Sequence, residues 1–301
     1  MPALFAAQFF IACDAVSGDN SSAMTAVLSI HSSVTAGFVG NSVAGPVLLS
    51  LGIQPLLVDT VMLAAHPGYG RRAGGAVPNE LLQDVLDGIS DLTDLRRINA
   101  MVSGYLGAAG QVTGIAAMID TWRRAASGPY ILDPVLGDAG RLYMPQQLVA
   151  AIRDELLPRA DIITPNSFEL AHLSGMAVTC RDSAQAAAAS LLAQNDLSAV
   201  VATGIADPAQ GVGDLMVMKA GDSLWSSAVP NASNVAGGGD LLTSLLAGLL
   251  ARGAPLEQAF SNASSTAQRI VAASDSPRDL ALLENLGPVA ALVGDGGGSA
   301  A

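Results

Sequence analysis

The chain has 301 residues, half of them hydrophobic, which is enough to form the core of one large α/β domain. Its 26 acidic and 14 basic side chains give a formal net charge of −12, which argues against a nucleic-acid-binding protein because such proteins carry a basic patch. No apolar run reaches the roughly 18 residues of a membrane-spanning helix, so we expect no membrane partner. Cys13 and Cys180 are too few for a disulfide framework, and unpaired thiols indicate a reducing, cytoplasmic setting.

Residues 1–23 precede the first predicted strand. They begin with apolar residues but lack the basic residues with which a signal peptide starts, and their first charged residue is Asp14. We interpret them as an N-terminal extension that is either disordered or packed on the surface. Residues 24–290 then form the single domain, and the glycine-rich residues 291–301 form a flexible tail.

Short apolar segments alternate with segments of helical periodicity through the domain. The predicted strands are 24–30, 55–61, 100–103, 130–132, 162–164 and 199–202, followed by a hairpin of 215–218 and 223–226. The predicted helices are one that runs to 51 after the turn 37–42, then 80–89, 112–126, 146–157, 168–173, 184–194, 240–252 and 256–273. Residues 66–78, rich in glycine and proline, are predicted as a loop. This order predicts βαβ units, and therefore a three-layer αβα fold with a mostly parallel central sheet.

Polar residues stand at or just beyond the ends of the predicted strands. They are Ser32, Thr60, Tyr105, Asp133, Asn166 and Thr203. In open α/β sheets, ligands bind outside the carboxyl ends of the strands. We therefore expect the functional site at this edge.

Two tetrapeptides, each with glycines followed by an aspartate, have similar sequences and are called here the two glycine-acid tetrads. The first tetrad is Gly211-Val212-Gly213-Asp214, and the second tetrad is Gly237-Gly238-Gly239-Asp240. An anion site needs free backbone N–H groups at a helix N-terminus. Only the second tetrad precedes a predicted helix, whereas the first precedes a predicted hairpin strand. The second tetrad is therefore the candidate anion hole.

Asp240 would lie beside a phosphate bound by the second tetrad. A carboxylate there would repel the phosphate unless it has a chemical role, and the natural one is to accept the proton of an attacking hydroxyl. The alternative is an ordinary helix cap, with an acidic residue in the first turn. The sequence lacks GxxxxGK[ST], which excludes a P-loop kinase.

Seven further segments carry the most specific pattern of the sequence. They are LSIHSSV at 28–34, GFVGNS at 37–42, DTV at 59–61, HPGYG at 66–70, SGYLG at 103–107, DPVLGD at 133–138 and DIITPNSFEL at 161–170. Together with the second tetrad, these segments make the chain resemble pyridoxal kinases of the ribokinase-like superfamily. The resemblance implies a ribokinase-like fold, transfer of the γ-phosphate of ATP to the 5′-hydroxyl of pyridoxal, pyridoxine or pyridoxamine, and a homodimer.

The resemblance also implies a role for each matching residue. In catalysis, Asp240 would be the general base, with Gly237, Gly238 and Gly239 as the anion hole. The residues implied in binding the substrate, together with Asp240, are Ser32, Thr60, His66 and Tyr105. Those implied in binding ATP are Asp133, Asp138, Thr164, Glu169, Thr203, Gly204 and Gly238. Mg²⁺ would be held by Asp133, Asn166 and Glu169, largely through water, and the need for a monovalent cation as well is left open.

Two alternatives remain open from the sequence. One is a kinase of the same superfamily acting on hydroxymethylpyrimidine or a sugar. The other is a non-catalytic vitamin B6 binding protein, suggested by Gly238, because the family often has threonine or valine at that position. Retention of Asp240, Asn166 and Glu169 speaks against a pure binding protein, which needs no base.

Overall fold

The computed structural model describes residues 24–228, 235–276 and 278–293. The predicted extension 1–23 and residues 294–301 of the predicted tail lie outside the described residues. Before residue 294 the chain is still packed, because Leu292 and Val293 contact the hydrophobic core.

A nine-stranded sheet forms the centre of the molecule, in the order β11-β10-β9-β8-β5-β4-β1-β2-β3. Its strands are β1 (Ala26–Ala36), β2 (Gln54–Ala65), β3 (Gly74–Ala76), β4 (Ile98–Ser103), β5 (Tyr130–Leu132), β8 (Ile162–Ile163), β9 (Ala199–Asp207), β10 (Gly211–Met218) and β11 (Ser223–Ser227). The six central strands, β2, β1, β4, β5, β8 and β9 in spatial order, pair with one another in parallel. Antiparallel pairing is confined to β3 at one edge and to β10 and β11 at the other. A separate small hairpin joins β6 (Gly137–Asp138) to β7 (Arg141–Leu142).

Helices cover both faces of this sheet. One face carries α2 (Asn79–Leu92), α3 (Ala109–Arg123), α4 (Gln146–Ala151), α5 (Ser167–Ser174) and α6 (Arg181–Gln194). The other carries α1 (Asn41–Ser50), α7 (Gly238–Ala251), α8 (Leu256–Ala272) and α9 (Leu286–Ala291). Residues of β1 alternate between two cores, with Leu28 and Ile30 in one and Val27 in the other. The prediction of a three-layer αβα fold with a mostly parallel sheet is confirmed.

Several elements differ from their prediction. Strand β1 was predicted to end at 30 but runs to Ala36, because it stays paired with β2. Residues 74–76 were predicted as loop but form β3, because the glycine-rich segment pairs in antiparallel with β2 at the sheet edge. Strand β9 was predicted to end at 202 but runs to Asp207, since β10 folds back and pairs with it. The helix predicted over 146–157 is α-helical only to Ala151 and then continues as a wider π-turn and a 3₁₀ turn containing Pro158, which has no N–H to donate.

Within the three described ranges, no helix combines the length and apolar character needed to cross a bilayer.

Candidate active site

A cavity of about 690 Å³ opens at the carboxyl ends of β5, β8 and β9, against the start of α7. Residues from seven separate stretches of the chain line it. Among them are all the residues predicted for the anion hole, nucleotide and metal: Asp133, Asp138, Thr164, Asn166, Glu169, Thr203, Gly204, Gly237, Gly238, Gly239 and Asp240. Their convergence follows from the topology, because parallel strands bring their carboxyl ends to one edge of the sheet.

The second tetrad begins α7, as predicted. Gly237 precedes the first helical residue and has φ +90°, a conformation that glycine adopts without strain. A side chain at Gly237 would also overlap the carbonyl oxygen of Phe38. The next two residues start the helix, so the N–H groups of Gly239 and Asp240 have no acceptor within it and favour an anion.

The two carboxylate oxygens of Asp240 contact β1 and the residue that precedes α1. Oδ2 accepts a hydrogen bond of 2.8 Å from the backbone N–H of Gly40, and Oδ1 lies 3.1 Å from His31 Nε2. Burial alone would raise the pKa of Asp240, but the imidazole of His31 and the Gly40 N–H together hold that pKa below its usual value. Asp240 is thus an ionised, oriented carboxylate at the mouth of the anion hole.

Asp133 is a second buried carboxylate in the cavity. Its Oδ2 accepts a hydrogen bond of 3.2 Å from Thr243, whose hydroxyl lies 2.9 Å from that of Thr164. Burial, followed by the negative charges of Glu169 and Asp240, raises the pKa of Asp133 well above its usual value. Sequence reasoning missed Thr243, although it lies three residues after Asp240, a spacing that places both on one side of α7.

Asn166 and Glu169 form a capping box at the start of α5. The Asn166 side chain accepts from the Glu169 N–H at 2.9 Å, and Glu169 Oε2 accepts from the Asn166 N–H at 2.9 Å. Glu169 Oε1 also accepts from the N–H of Leu136 at 2.8 Å. Burial outweighs these hydrogen bonds and raises the pKa of Glu169 to about 7.

This oxygen-rich set fits Mg²⁺, which prefers carboxylates and retains several waters. Asp133 and Glu169 are buried carboxylates whose pKa values are raised in part by a neighbouring carboxylate, that of Glu169 for Asp133 and that of Asp138 for Glu169, and a cation would relieve this repulsion. The side-chain oxygens of Asn166 and Glu169 already accept backbone N–H groups, so water-mediated contact suits them better than direct ligation.

Of the residues predicted to hold the substrate, only Asp240 is among the described residues that line this cavity; Ser32, Thr60, His66 and Tyr105 are not. Ser32 is buried next to His31, and their side chains lie 3.3 Å apart. Thr60 is fully buried, and its hydroxyl donates to the Tyr105 carbonyl at 2.6 Å. His66 Nε2 lies 2.8 Å from the carbonyl of Arg278. Thr60 and His66 therefore hold backbone segments in this conformation, and their substrate contacts stay predictions.

The first tetrad lies in β10, within the antiparallel edge of the sheet, as its hairpin context predicted. Asp214 nevertheless lines the same cavity. Its carboxylate accepts from the Gly204 N–H at 3.1 Å, from Ser264 at 2.6 Å and from Gln268 at 2.9 Å. Burial raises the pKa of Asp214 despite these donors.

The sheet order and the carboxylate at a glycine-led helix define a ribokinase-like phosphotransferase. The family model described as phosphomethylpyrimidine kinase matches residues 50–289. The pyridoxine/pyridoxal/pyridoxamine kinase of Bordetella avium is 38% identical over 239 residues, which cover 77% of this chain and 80% of that protein. The pyridoxal kinase of Actinobacillus succinogenes is 34% identical over 244 residues, covering 79% and 85% respectively.

Solved structures agree with this result. The pyridoxal kinase of Entamoeba histolytica superposes with a TM-score of 0.81 at 27% identity, covering 88% of this chain and 95% of that one. The pyridoxal kinase of Leishmania donovani, solved with ADP and pyridoxine, gives 0.80 at 29% identity with the same coverage. The chain belongs to the pyridoxal kinases of the phosphomethylpyrimidine kinase family. It is an enzyme, and the fold is ribokinase-like.

Proposed function

We propose that this enzyme transfers the γ-phosphate of ATP to the 5′-hydroxyl of pyridoxal, and of pyridoxine and pyridoxamine. One observation carries the proposal: the residues predicted for nucleotide, metal and anion binding line a single cavity around Asp240. The relatives support it, since those from Bordetella avium and Actinobacillus succinogenes are named as kinases of B6 vitamers.

Asp240 is the general base in this proposal. Its carboxylate is held in place by Gly40 and His31 and is ionised, so it can accept the proton of a hydroxyl that attacks the γ-phosphorus. The first-turn N–H groups of α7 receive the transferring phosphoryl group. Because such a transfer needs little covalent help, the chain contributes mainly by positioning these groups.

Asp133 would hold Mg²⁺, with Asn166 and Glu169 acting on it through water. The metal, when bound, supplies positive charge that neutralises the phosphates in this acidic cavity. Asp138, Thr164, Thr203 and Gly204 lie along the same wall and would contact the nucleotide. Ser32, Thr60, His66 and Tyr105 would surround the pyridine ring. We also propose a cytoplasmic homodimer, consistent with the few cysteines and the family resemblance.

The test is release of ADP from ATP and Mg²⁺ with pyridoxal, pyridoxine, pyridoxamine, hydroxymethylpyrimidine or ribose as acceptor. We expect turnover with a B6 vitamer above the other acceptors. Faster turnover with hydroxymethylpyrimidine or ribose would assign another substrate. Tight binding of pyridoxal by calorimetry without turnover would replace the kinase with a binding protein.

A further inference from the structure

His31 is the one basic side chain that the structure places against Asp240, within the described ranges. It lies in the middle of β1 and is only 5% exposed. The pairing of β1 with β2 shifts register between His31 and Ser33. Such irregularities redirect side chains, and they are frequent next to active sites. Here the shift accompanies an imidazole directed at the proposed base.

The hydrogen bonding of the ring defines which nitrogen carries the proton. Nδ1 accepts a hydrogen bond of 2.8 Å from the backbone N–H of Ser32, so in the neutral ring the proton is on Nε2. Nε2 is buried and lies 3.1 Å from Asp240 Oδ1, and among the residues that the structure describes no other group satisfies it. The ring thus presents one N–H donor to the Asp240 carboxylate.

The surrounding backbone leaves the ring little room to turn away. A side chain on Gly104 would overlap the ring at Cδ2 and Nε2, and one on Gly40 would lie 2.7 Å from Nδ1. Gly40 also donates to the other oxygen of Asp240. Two segments of the chain therefore confine the imidazole, and one of them also holds the carboxylate that it faces.

A metal-binding role for His31 does not fit this arrangement. His31, Asp133 and Asp240 do have ligand-type atoms within 4.8 Å of one another. However, a metal-bound histidine usually donates its other ring N–H to an acceptor. Nδ1 of His31 instead faces a donor, the Ser32 N–H. The tautomer that would free Nε2 for a metal would place two hydrogens against each other.

We infer that His31 is a positioning residue, which orients the Asp240 carboxylate for proton transfer through its Nε2–H. The inference rests on the proposed function, because it gives Asp240 the role of base. It makes no claim that His31 touches the substrate or moves a proton itself.

Replacement of His31 separates a positioning role from a packing role. His31→Leu removes the donor, and we expect kcat to fall about 10- to 100-fold, the usual cost of a misplaced catalytic group, with the KM for ATP unchanged. His31→Gln supplies an amide N–H, and we expect it to recover most of kcat. His172→Leu, on the exposed side of α5, is the matched control and should leave kcat unchanged. Equal loss in the Gln and Leu variants, with unaltered thermal unfolding, would overturn the inference.

A double-mutant cycle tests the link to Asp240. In an Asp240→Asn background, His31→Leu should cause little further loss, because the base that it orients is already gone. If the fold loss in kcat of the double variant equals the product of the losses of the two single variants, His31 acts independently of Asp240, which contradicts the inference.

A measurement that does not require turnover distinguishes failure of the inference about His31 from failure of the proposed function. The ¹⁵N chemical shifts of His31 in the intact protein should show a protonated Nε2 and an unprotonated Nδ1, and Asp240→Ala should shift the Nε2 resonance. A ring protonated at Nδ1, or perturbed by Zn²⁺ at stoichiometric ratio, would refute the positioning role. If these shifts are as expected but no vitamer is phosphorylated, the proposed function fails while the contact stands.

Discussion

The two glycine-acid tetrads end in carboxylates that line the same cavity but have opposite electrostatics. Asp214, in the first tetrad, lies within strand β10 and accepts hydrogen bonds from neutral donors, and burial raises its pKa. Asp240, in the second tetrad, lies in the first turn of α7 beside His31, and its pKa is lowered. The two pKa values shift in opposite directions because Asp240 faces the His31 imidazole, whereas the hydrogen-bond donors described for Asp214 are neutral.

The glycines of the two tetrads also serve different purposes. Gly213 permits close packing in the hairpin, since a side chain there would meet the Trp225 ring and the Ser226 carbonyl at 2.5 Å. Gly237 permits the left-handed turn that begins α7. Gly238 and Gly239 have room for a side chain, apart from a contact of 3.3 Å between Gly238 and Val271. The unusual Gly238 is therefore not a steric requirement of the anion hole.

Among substitutions of the glycines, the largest effect is expected from Gly237→Ala. The added Cβ requires a left-handed conformation costing about 1–2 kcal/mol and would also overlap the Phe38 carbonyl, so the start of α7 must move. We expect kcat to fall about 100-fold, as for a catalytic group displaced by 1 Å. Gly238→Ala is the matched control and should retain kcat; an equal loss in both variants would contradict the assignment of a special role to Gly237. Steady-state kinetics with pyridoxal measures both.

A smaller effect is expected from Thr243→Val. The change removes the hydroxyl that donates to Asp133 and contacts Thr164, while the volume of the side chain is kept. Losing a hydrogen bond to a charged group costs about 1.5–3 kcal/mol, so we expect about a tenfold or greater rise in the Mg²⁺ concentration for half-maximal rate. Thr113→Val, on the exposed surface of α3, is the control. An unchanged Mg²⁺ requirement would remove Thr243 from the site.

Gly213→Ala should affect folding rather than catalysis. The added methyl group must displace the Trp225 ring or the Ser226 backbone, and such overpacking typically costs about 1–3 kcal/mol. Urea unfolding should show this loss, while kcat of the folded fraction should remain that of the unaltered enzyme. A kcat loss matching that of Gly237→Ala would mean that the first tetrad also takes part in catalysis.

The smallest effect concerns pH. Because the pKa of Asp214 is raised in the folded protein, the folded state binds this proton more tightly than the unfolded chain does. The stability contribution of Asp214 is therefore complete below about pH 3.9, its unfolded pKa, and is lost as the pH rises through the folded value. Asp214→Asn should flatten this part of the stability profile measured by urea unfolding. An unchanged slope would assign the pH dependence to other groups.

The sequence predicted the parts of this fold that local chemistry determines. The strand 130–132 was placed correctly and the helix predicted from 168 begins at Ser167, since hydrophobic periodicity is a local signal. Strand β3 and the extension of β9 could not be predicted, because both depend on pairing with a neighbouring strand. The same limit applies to the site: Thr243 and the approach of His31 to Asp240 depend on how α7 and β1 meet.

The central claim is that the carboxylate of the second tetrad, and not that of the first, is the base for phosphoryl transfer. Single-turnover transfer of the γ-phosphate from ATP to pyridoxal should be measured for Asp240→Asn and Asp214→Asn, both nearly isosteric, with nucleotide affinity followed by calorimetry. We predict that Asp240→Asn slows the transfer about 10²- to 10⁴-fold while nucleotide still binds, and that Asp214→Asn transfers at close to the unaltered rate. Rapid transfer by Asp240→Asn, or an equal loss in both variants, would contradict the account.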